Sequence, residues 1–159
     1  LAMELMSTGN KISMFMNPGM AFGTGHHETT KLMLTRMNHL NFQSKTVLDM
    51  GTGSGILSIA AARLGAKDIL AIDIDPNAVR ATEYNWNENN FPQNPKFEIL
   101  EGGFDAPEIS KKEYDIVLAN ITYAVISQNI RHISGIRAKH FLFSGIITER
   151  KQDSIELFQ

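Results

Sequence analysis

Apolar residues in this chain form short continuous runs, and the segments between the runs carry apolar residues at helical spacing. Continuous runs of this length are typical of strands that are buried on both faces of a parallel sheet. Residues 116–118 and 141–143 are the clearest examples. The runs predict five strands, at residues 46–48, 69–72, 96–100, 114–119 and 140–144. A shorter run at residues 12–16 predicts an edge strand.

The segments between these runs carry helix signals. They predict helices at residues 28–40, from about residue 54, at 76–89, at 123–137 and at 148–158. Asp75 followed by Pro76 is a strong start signal, because aspartate caps helix N-termini and proline is favoured at the first helical position. In that helix, Val79, Thr82 and Trp86 are predicted to share the inner face, with Trp86 as a packing residue. Alternating strands and helices predict one α/β domain over residues 1–159, with a parallel sheet and helices on both faces.

Composition narrows the classes of function only slightly. The chain has 159 residues, a net charge of −2 and no cysteine. A charge this close to zero gives no sequence-wide electrostatic reason to expect direct nucleic-acid binding. The absence of cysteine excludes disulfides and thiolate metal sites and suits a cytoplasmic protein. The sequence contains no apolar stretch long enough to cross a bilayer, so we expect no membrane association.

Residues 45–55 form a glycine-rich turn after an apolar strand. The strand ends at Asp49, and glycines alternate at positions 51, 53 and 55. Glycines here let the backbone turn tightly and approach a ligand, and a helix starting nearby presents unpaired N–H groups to that ligand. Asp73 ends the next strand, 22 residues after Gly51, where a carboxylate accepts hydrogen bonds from a ribose diol. The pattern predicts an adenosine-containing cofactor. A glycine-rich turn without a ligand is the alternative.

The glycine spacing separates two classes of cofactor. A nicotinamide-binding fingerprint needs a third glycine at the position of Ile56. The alternating spacing instead resembles motif I of the class I methyltransferases, which bind S-adenosylmethionine. That resemblance implies a Rossmann-like, doubly wound, mostly parallel sheet.

A second motif narrows the family. Residues 18–30 read Pro-Gly-Met-Ala-Phe-Gly-Thr-Gly-His-His-Glu-Thr-Thr. Together with motif I and the sequence Ala-Asn-Ile at residues 119–121, they resemble the bacterial methyltransferases that modify the eleventh protein of the large ribosomal subunit. The resemblance covers about residues 15–150 and implies methyl transfer from S-adenosylmethionine to lysine side chains and an N-terminal amine of that ribosomal protein.

The resemblance also assigns site residues. It places cofactor contacts at Thr30, Gly51, Asp73 and Asn120, with Gly53 in the same turn. It implies that a loop at residues 22–27, with Phe22 and Thr24, covers the methionine end of the cofactor. The fold usually supplies the adenine pocket after its third strand, which suggests Phe104. For Phe104 a plain core role is an equal alternative, and for Thr29 or Thr30 the alternative is helix capping.

Two further expectations concern chemistry. We expect the side-chain carbonyl of Asn120 to accept a hydrogen bond from the incoming amine and so to orient its lone pair; loop capping is the alternative. No general base is identified, and deprotonation is expected through desolvation and solvent. His26 and His27 are adjacent, so they point in different directions, and no further ligands complete a coordination sphere. We therefore expect no metal.

The resemblance has limits that set the remaining alternatives. Full-length members of that family carry an N-terminal substrate-recognition domain and a C-terminal antiparallel hairpin, and this sequence matches neither. We therefore expect an incomplete domain, with the strand at 140–144 near an exposed edge. The alternatives to ribosomal-protein methylation are an N-methyltransferase of another protein or small-molecule amine, and a catalytically silent cofactor-binding module.

Overall fold

The chain folds around a parallel sheet of five strands. The computed structural model describes residues 2–7, 10–17, 28–146, 153, 155 and 156. The strands of this sheet are β3 (Thr46–Met50), β4 (Asp68–Asp73), β5 (Lys96–Glu101), β6 (Tyr114–Asn120) and β7 (Ala138–Ser144). All neighbouring pairs are parallel. Each predicted strand is confirmed to within two residues at either end.

The order of the strands creates a crevice. In space they run β5-β4-β3-β6-β7, so the chain proceeds outward from β3 in one direction and then returns to β3's other side. Met50 at the end of β3 is paired with Ala119 near the end of β6. At such a reversal the connections leave the sheet in opposite directions and open a space at the carboxyl ends of the two central strands.

A separate pair of strands precedes the sheet. The predicted strand at residues 12–16 corresponds to β2 (Asn10–Phe15), which pairs antiparallel with β1 (Ala2–Ser7). The two strands form their own sheet and do not join the edge of the five-stranded one. The sequence pattern missed β1.

Six helices connect the strands or follow them in the continuous range 28–146. They are α1 (Glu28–Met37), α2 (Ile56–Arg63), α3 (Pro76–Asn87), α4 (Pro107–Ser110), α5 (Tyr123–Gln128) and α6 (Ile130–Ser134). The Asp75 cap is confirmed, since its Oδ1 accepts a hydrogen bond from Asn77 N at 2.8 Å. The single helix predicted at 123–137 is instead two short helices separated at Asn129, and α4 was not predicted. Of the predicted helix at 148–158, only residues 153, 155 and 156 are described, and they are helical.

Both faces of the sheet are covered by apolar side chains. Val47, Ile69 and Ile116 belong to the cluster shared with α1 and α2. Leu48 and Leu70 belong to the opposite cluster, which includes side chains from the segment around α4 and α6. The prediction of helices on both faces is confirmed, because alternate residues of the central strands enter different clusters.

Two packing predictions were wrong in part. Phe141 is 39% exposed, because β7 is the outermost strand of the sheet and its middle residues are open to solvent. The inner face of α3 consists of Ala78, Ala81, Thr82 and Asn85. Val79 and Trp86 flank that face and are only partly buried. Trp86 nevertheless packs as predicted, stacking on Phe97 with ring centroids 3.7 Å apart.

A membrane span is not found among the described helices, none of which is both long and apolar enough for one.

Candidate functional site

The glycine turn lies at the carboxyl edge of the sheet and is held by the neighbouring strand. The N–H groups of Gly51 and Thr52 both donate to the carbonyl of Ile72, at 2.8 and 3.1 Å. Gly51 has φ +67°, and a Cβ atom there would lie 2.8 Å from Cγ2 of Ile121. A side chain at this position would therefore be strained and would collide with the segment that follows β6. The sequence needs glycine here to bring the ends of β3 and β6 together.

Asp73 fixes the turn from the end of β4. Its Oδ2 accepts a hydrogen bond from Gly53 N at 2.9 Å, and its Oδ1 accepts one from Asp75 N at 3.0 Å. Each carboxylate oxygen has capacity for a further hydrogen bond. Asp73 can therefore hold the turn and accept from a ligand hydroxyl at the same time.

Asp49 lies beneath the turn and was not identified from the sequence as a site residue. It is fully buried, and its Oδ2 accepts from Thr52 Oγ1, Ser58 N and Ser58 Oγ. Its Oδ1 has no partner among the described residues. Burial raises the pKa of this carboxyl from 3.8 to about 6, although the hydrogen bonds from Ser58 and Thr52 lower it and the Asp73 charge adds a smaller rise.

A cavity of about 290 Å³ opens beside the turn. It brings together the six predicted site residues that the structure describes: Thr30, Gly51, Gly53, Asp73, Phe104 and Asn120. Phe22, Thr24 and the histidines at 26 and 27 lie outside the described residues. That the six bind a cofactor remains a prediction, but one cavity lined by residues from distant parts of the chain is what a ligand site requires.

An apolar wall of the cavity was missed by the sequence analysis. Ile74, Ile121 and Val125 line the cavity, and Ile74 is 76% exposed. Exposure of this extent is unusual for a large apolar side chain at the end of a buried strand. The available signal was the position of Ile74 between Asp73 and Asp75, where it has no core to enter.

Asn120 links β6 to α1. Its Nδ2 donates to Oγ1 of Thr30 at 3.1 Å, across 90 positions of sequence. Thr30 is buried within α1 and is not its N-cap, so the capping alternative for Thr30 is not supported. The Oδ1 of Asn120 is buried and has no partner in the part of the chain that the structure describes. A buried acceptor without a donor costs about 1–3 kcal/mol, so a ligand that donates a hydrogen bond there is favoured.

The charges around the cavity distinguish between ligands. Its described lining contains the Asp73 carboxylate and no lysine or arginine, and Asp49 lies directly below. A pyrophosphate would lie near the Asp73 carboxylate, and the described lining offers it no lysine or arginine side chain. A nucleoside with a cationic amino-acid tail fits better, because its hydroxyls and ammonium group are donors and the site offers acceptors. The described residues therefore fit S-adenosylmethionine.

Metal ligands are not clustered in this part of the molecule. Within residues 2–7, 10–17, 28–146, 153, 155 and 156, no three side chains of His, Asp or Glu are grouped to hold an ion. The expectation that the protein binds no metal remains a prediction.

Comparison with known proteins places the chain in a family. It matches the family described as ribosomal protein L11 methyltransferase over residues 2–158. It is 53% identical over 146 residues to a ribosomal protein L11 methyltransferase of Leptospira interrogans, and this match covers 92% of the chain and 48% of that protein. The corresponding enzyme of Clostridium perfringens is 38% identical over 155 residues, with 96% and 48% covered.

A solved structure agrees with the sequence matches. The ribosomal protein L11 methylase of Lactobacillus delbrueckii subsp. bulgaricus superposes with a TM-score of 0.77 at 30% identity, covering 90% of this chain and 72% of that one. The predicted class I methyltransferase fold is thereby confirmed. The chain spans about half the length of the curated relatives that it matches. It belongs to the ribosomal protein L11 methyltransferase family.

Proposed function

We propose that this chain forms the catalytic part of an enzyme that transfers methyl groups from S-adenosylmethionine to amines of ribosomal protein L11. The amines are lysine side chains and the N-terminal amine. The observation that carries the proposal is the buried Oδ1 of Asn120, which has no partner among the described residues and lies in the cavity that also contains Asp73 and the glycine turn. Family membership supplies the ribosomal substrate.

The proposal assigns each part of the ligand to residues of the cavity. Asp73 accepts from the ribose hydroxyls, and the amino-acid end lies against Gly51 and Gly53. Ile74 and Phe104 provide apolar surface for the adenine ring. Phe22 and Thr24 remain proposed contacts of the methionine end. Bound in this way, S-adenosylmethionine supplies an electrophilic methyl group attached to a positively charged sulfur.

Asn120 is proposed to position the amine. Its Oδ1 accepts from an N–H of the incoming amine, while the hydrogen bond from its Nδ2 to Thr30 prevents the amide from rotating away. An amine whose N–H donates to Asn120 has its lone pair directed away from Asn120. Alignment of the reacting groups contributes several kcal/mol to a displacement reaction. No base is assigned: a lysine entering the apolar cavity loses basicity through desolvation, and its proton leaves to solvent.

A transfer assay tests the proposal. The protein is incubated with methyl-labelled S-adenosylmethionine and purified ribosomal protein L11, and in parallel with a cell lysate. Label in L11 is the expected result. Label only in other proteins or small amines would contradict L11 as the substrate but would support methyl transfer as the reaction. Cofactor binding without any transfer would support a silent binding module and contradict the proposed activity.

The role of Asn120 gives a sharper prediction. Asn120→Ala removes the acceptor, and turnover is expected to fall roughly 100-fold, as misplacement of a reacting group by about 1 Å produces. Thr30→Val leaves Asn120 Nδ2 without its acceptor, so a smaller fall is expected, while Thr30→Ser keeps the hydroxyl and loses less than Thr30→Val. Turnover is measured with saturating cofactor, and cofactor affinity by calorimetry. Unchanged turnover in Asn120→Ala would remove its catalytic role.

A further inference from the structure

One buried asparagine lies in α3 and a second lies two residues after its end, and the proposed reaction uses neither. Asn85 is 0% exposed and Asn89 is 6% exposed, and they lie one helical turn apart. Most buried side-chain amides are hydrogen-bonded, so the partners of these two show what they hold in place. Their partners include backbone groups of residues 15, 17 and 54, which are far away in sequence and lie on two different segments.

Asn85 connects the glycine turn to the segment that follows β2. Its Nδ2 donates to the carbonyl of Ser54 at 2.8 Å, and Ser54 lies between Gly53 and Gly55. Its Oδ1 accepts from the backbone N–H of Asn17, also at 2.8 Å. One side chain therefore bridges positions 17 and 54, and neither Asn17 nor Asn85 lines the cavity.

Asn89 contacts the same segment but not the turn. Its Oδ1 accepts from Phe15 N at 3.0 Å, and its Nδ2 donates to Phe15 O at 2.8 Å and to Asn85 O at 2.7 Å. The amide of Asn89 pairs with Phe15 as a neighbouring strand would. Asn89 can therefore serve as a control, because it is bonded to the same segment and not to the glycine turn.

A third contact shows that α3 fixes the turn itself. Thr82 Oγ1 donates to the carbonyl of Gly53 at 3.1 Å. The carbonyls of Gly53 and Ser54 are therefore both held by buried side chains of α3, which sets the orientation of two consecutive peptide units in the turn. A ligand that binds against this turn is therefore connected to Asn85 through one hydrogen bond, from Asn85 Nδ2 to the carbonyl of Ser54.

We propose that Asn85 is a positioning residue that couples residues 15–17 to the cofactor site. Occupation of the site stabilises the turn, the turn holds Asn85, and Asn85 holds the N–H of Asn17. By linkage the effect is reciprocal, so loss of the bridge weakens cofactor binding. The proposal rests on the proposed function, because it takes S-adenosylmethionine or its product as the ligand.

Amide hydrogen exchange tests the coupling in the unmodified protein. Exchange is followed by NMR with and without saturating S-adenosylhomocysteine, which needs no methyl acceptor. The expected result is at least tenfold slower exchange at Asn17 on binding, together with protection in the turn at Gly53 and Gly55. Protection in the turn without protection at Asn17 overturns the coupling and leaves the proposed function intact. No protection anywhere contradicts both.

A matched pair of variants isolates Asn85. Asn85→Asp keeps the acceptor for Asn17 N but replaces the donor to Ser54 by an oxygen. Asn89→Asp keeps the acceptor for Phe15 N and Arg63 Nη2 and replaces the donor to Phe15 O and Asn85 O, so it changes the same kind of group without touching the turn. We expect Asn85→Asp to raise the Kd for S-adenosylhomocysteine at least tenfold and to abolish ligand-dependent protection of Asn17. Asn89→Asp is expected to speed exchange at Phe15 and leave Kd within about twofold. Equal losses of affinity in both variants would indicate general packing and overturn the role assigned to Asn85. If Asn85→Asp does not fold, the exchange experiment decides alone.

Discussion

Asp49 and Asn120 each have a buried side-chain oxygen that finds no partner among the described residues, and both lie at the carboxyl edge of the sheet. Asn120 lines the cavity, and Asp49 is bonded to Thr52, which also lines it. Acceptors left unpaired in a low-dielectric interior are costly, and they persist at positions where a ligand completes the network. Asn38 Oδ1 and Tyr114 Oη are also buried without a partner among the described residues but do not line the cavity, so an unpaired acceptor supports the site only together with the cavity.

The buried carboxyl of Asp49 predicts an unusual pH dependence of stability. Its pKa is about 6 in the folded protein and near 3.8 when unfolded, so between these values the folded state holds a proton that the unfolded state has lost. The Asp49 contribution to the free energy of unfolding therefore falls as pH rises through this window, by about 3 kcal/mol, and is constant above it.

Asp49→Asn removes this contribution. We expect the variant to be more stable than the original protein above pH 6 and to approach it in stability near pH 4. Urea unfolding at several pH values measures both curves, and their difference cancels the other titrating groups. A difference that does not change between pH 4 and 6 would show that Asp49 is already ionised at the lower pH.

The site residues that the sequence predicted have mainly local reasons for being there. Gly51 and Gly53 serve a backbone turn, and Asp73 ends a strand, so their spacing reveals them. The role of Asn85 was missed because it depends on segments that are distant in sequence, whereas Ile74 was missed although its position between two aspartates was a local signal. Asn85 at helical spacing looks like an ordinary helix residue until Ser54 and Asn17 are seen against it.

At the scale of elements, the same division between local and distant causes decides which predictions held. The strands of the main sheet were predicted because burial on both faces demands continuous apolar runs. The break between α5 and α6 is an exception, because it was missed although its cause is local: it falls at Asn129, whose Nδ2 donates to Val125 O at 2.8 Å. β1 was missed because it pairs with β2 in a sheet that has two strands among the described residues, and such a sheet demands no continuous apolar run.

The glycine turn gives a prediction at this scale. Gly51→Ala forces an alanine into φ +67° and brings its Cβ within 2.8 Å of Ile121, which follows β6. The strain is expected to cost about 1–3 kcal/mol of stability. Because relief requires the ends of β3 and β6 to separate, affinity for S-adenosylhomocysteine is also expected to fall at least tenfold. Urea unfolding and calorimetry measure the two effects.

Gly65→Ala is the control for strain alone. Gly65 has φ +103°, and its neighbour is the side chain of Gln43, far from the cavity lining. It should lose stability to a similar extent and keep its cofactor affinity. If the two alanine variants lose affinity equally, the turn at Gly51 is not part of the binding site.

At the scale of the whole molecule, the cavity joins two halves of the sheet. Gly51, Asp73 and Phe104 follow or end strands on one side of the reversal, whereas Asn120 and Ile121 belong to the β6 side. A ligand that contacts both sides binds only when the halves are correctly packed. Its binding free energy is therefore added to the stability of the whole domain and not to one loop.

Thermal unfolding with different ligands measures this addition. S-adenosylhomocysteine at 100 times its Kd adds about 2.7 kcal/mol, which for a domain of this size raises Tm by roughly 5–10 °C. NADH is expected to give no shift, because Ile56 stands where the dinucleotide-binding fingerprint needs its third glycine. Asp73→Ala, which loses the proposed ribose contact and the bond to Gly53, should unfold cooperatively but show little shift at the same ligand concentration. A shift with NADH and none with S-adenosylhomocysteine would mean that the crevice between β3 and β6 binds a dinucleotide, and the methyl-transfer chemistry proposed for Asn120 would then have no donor.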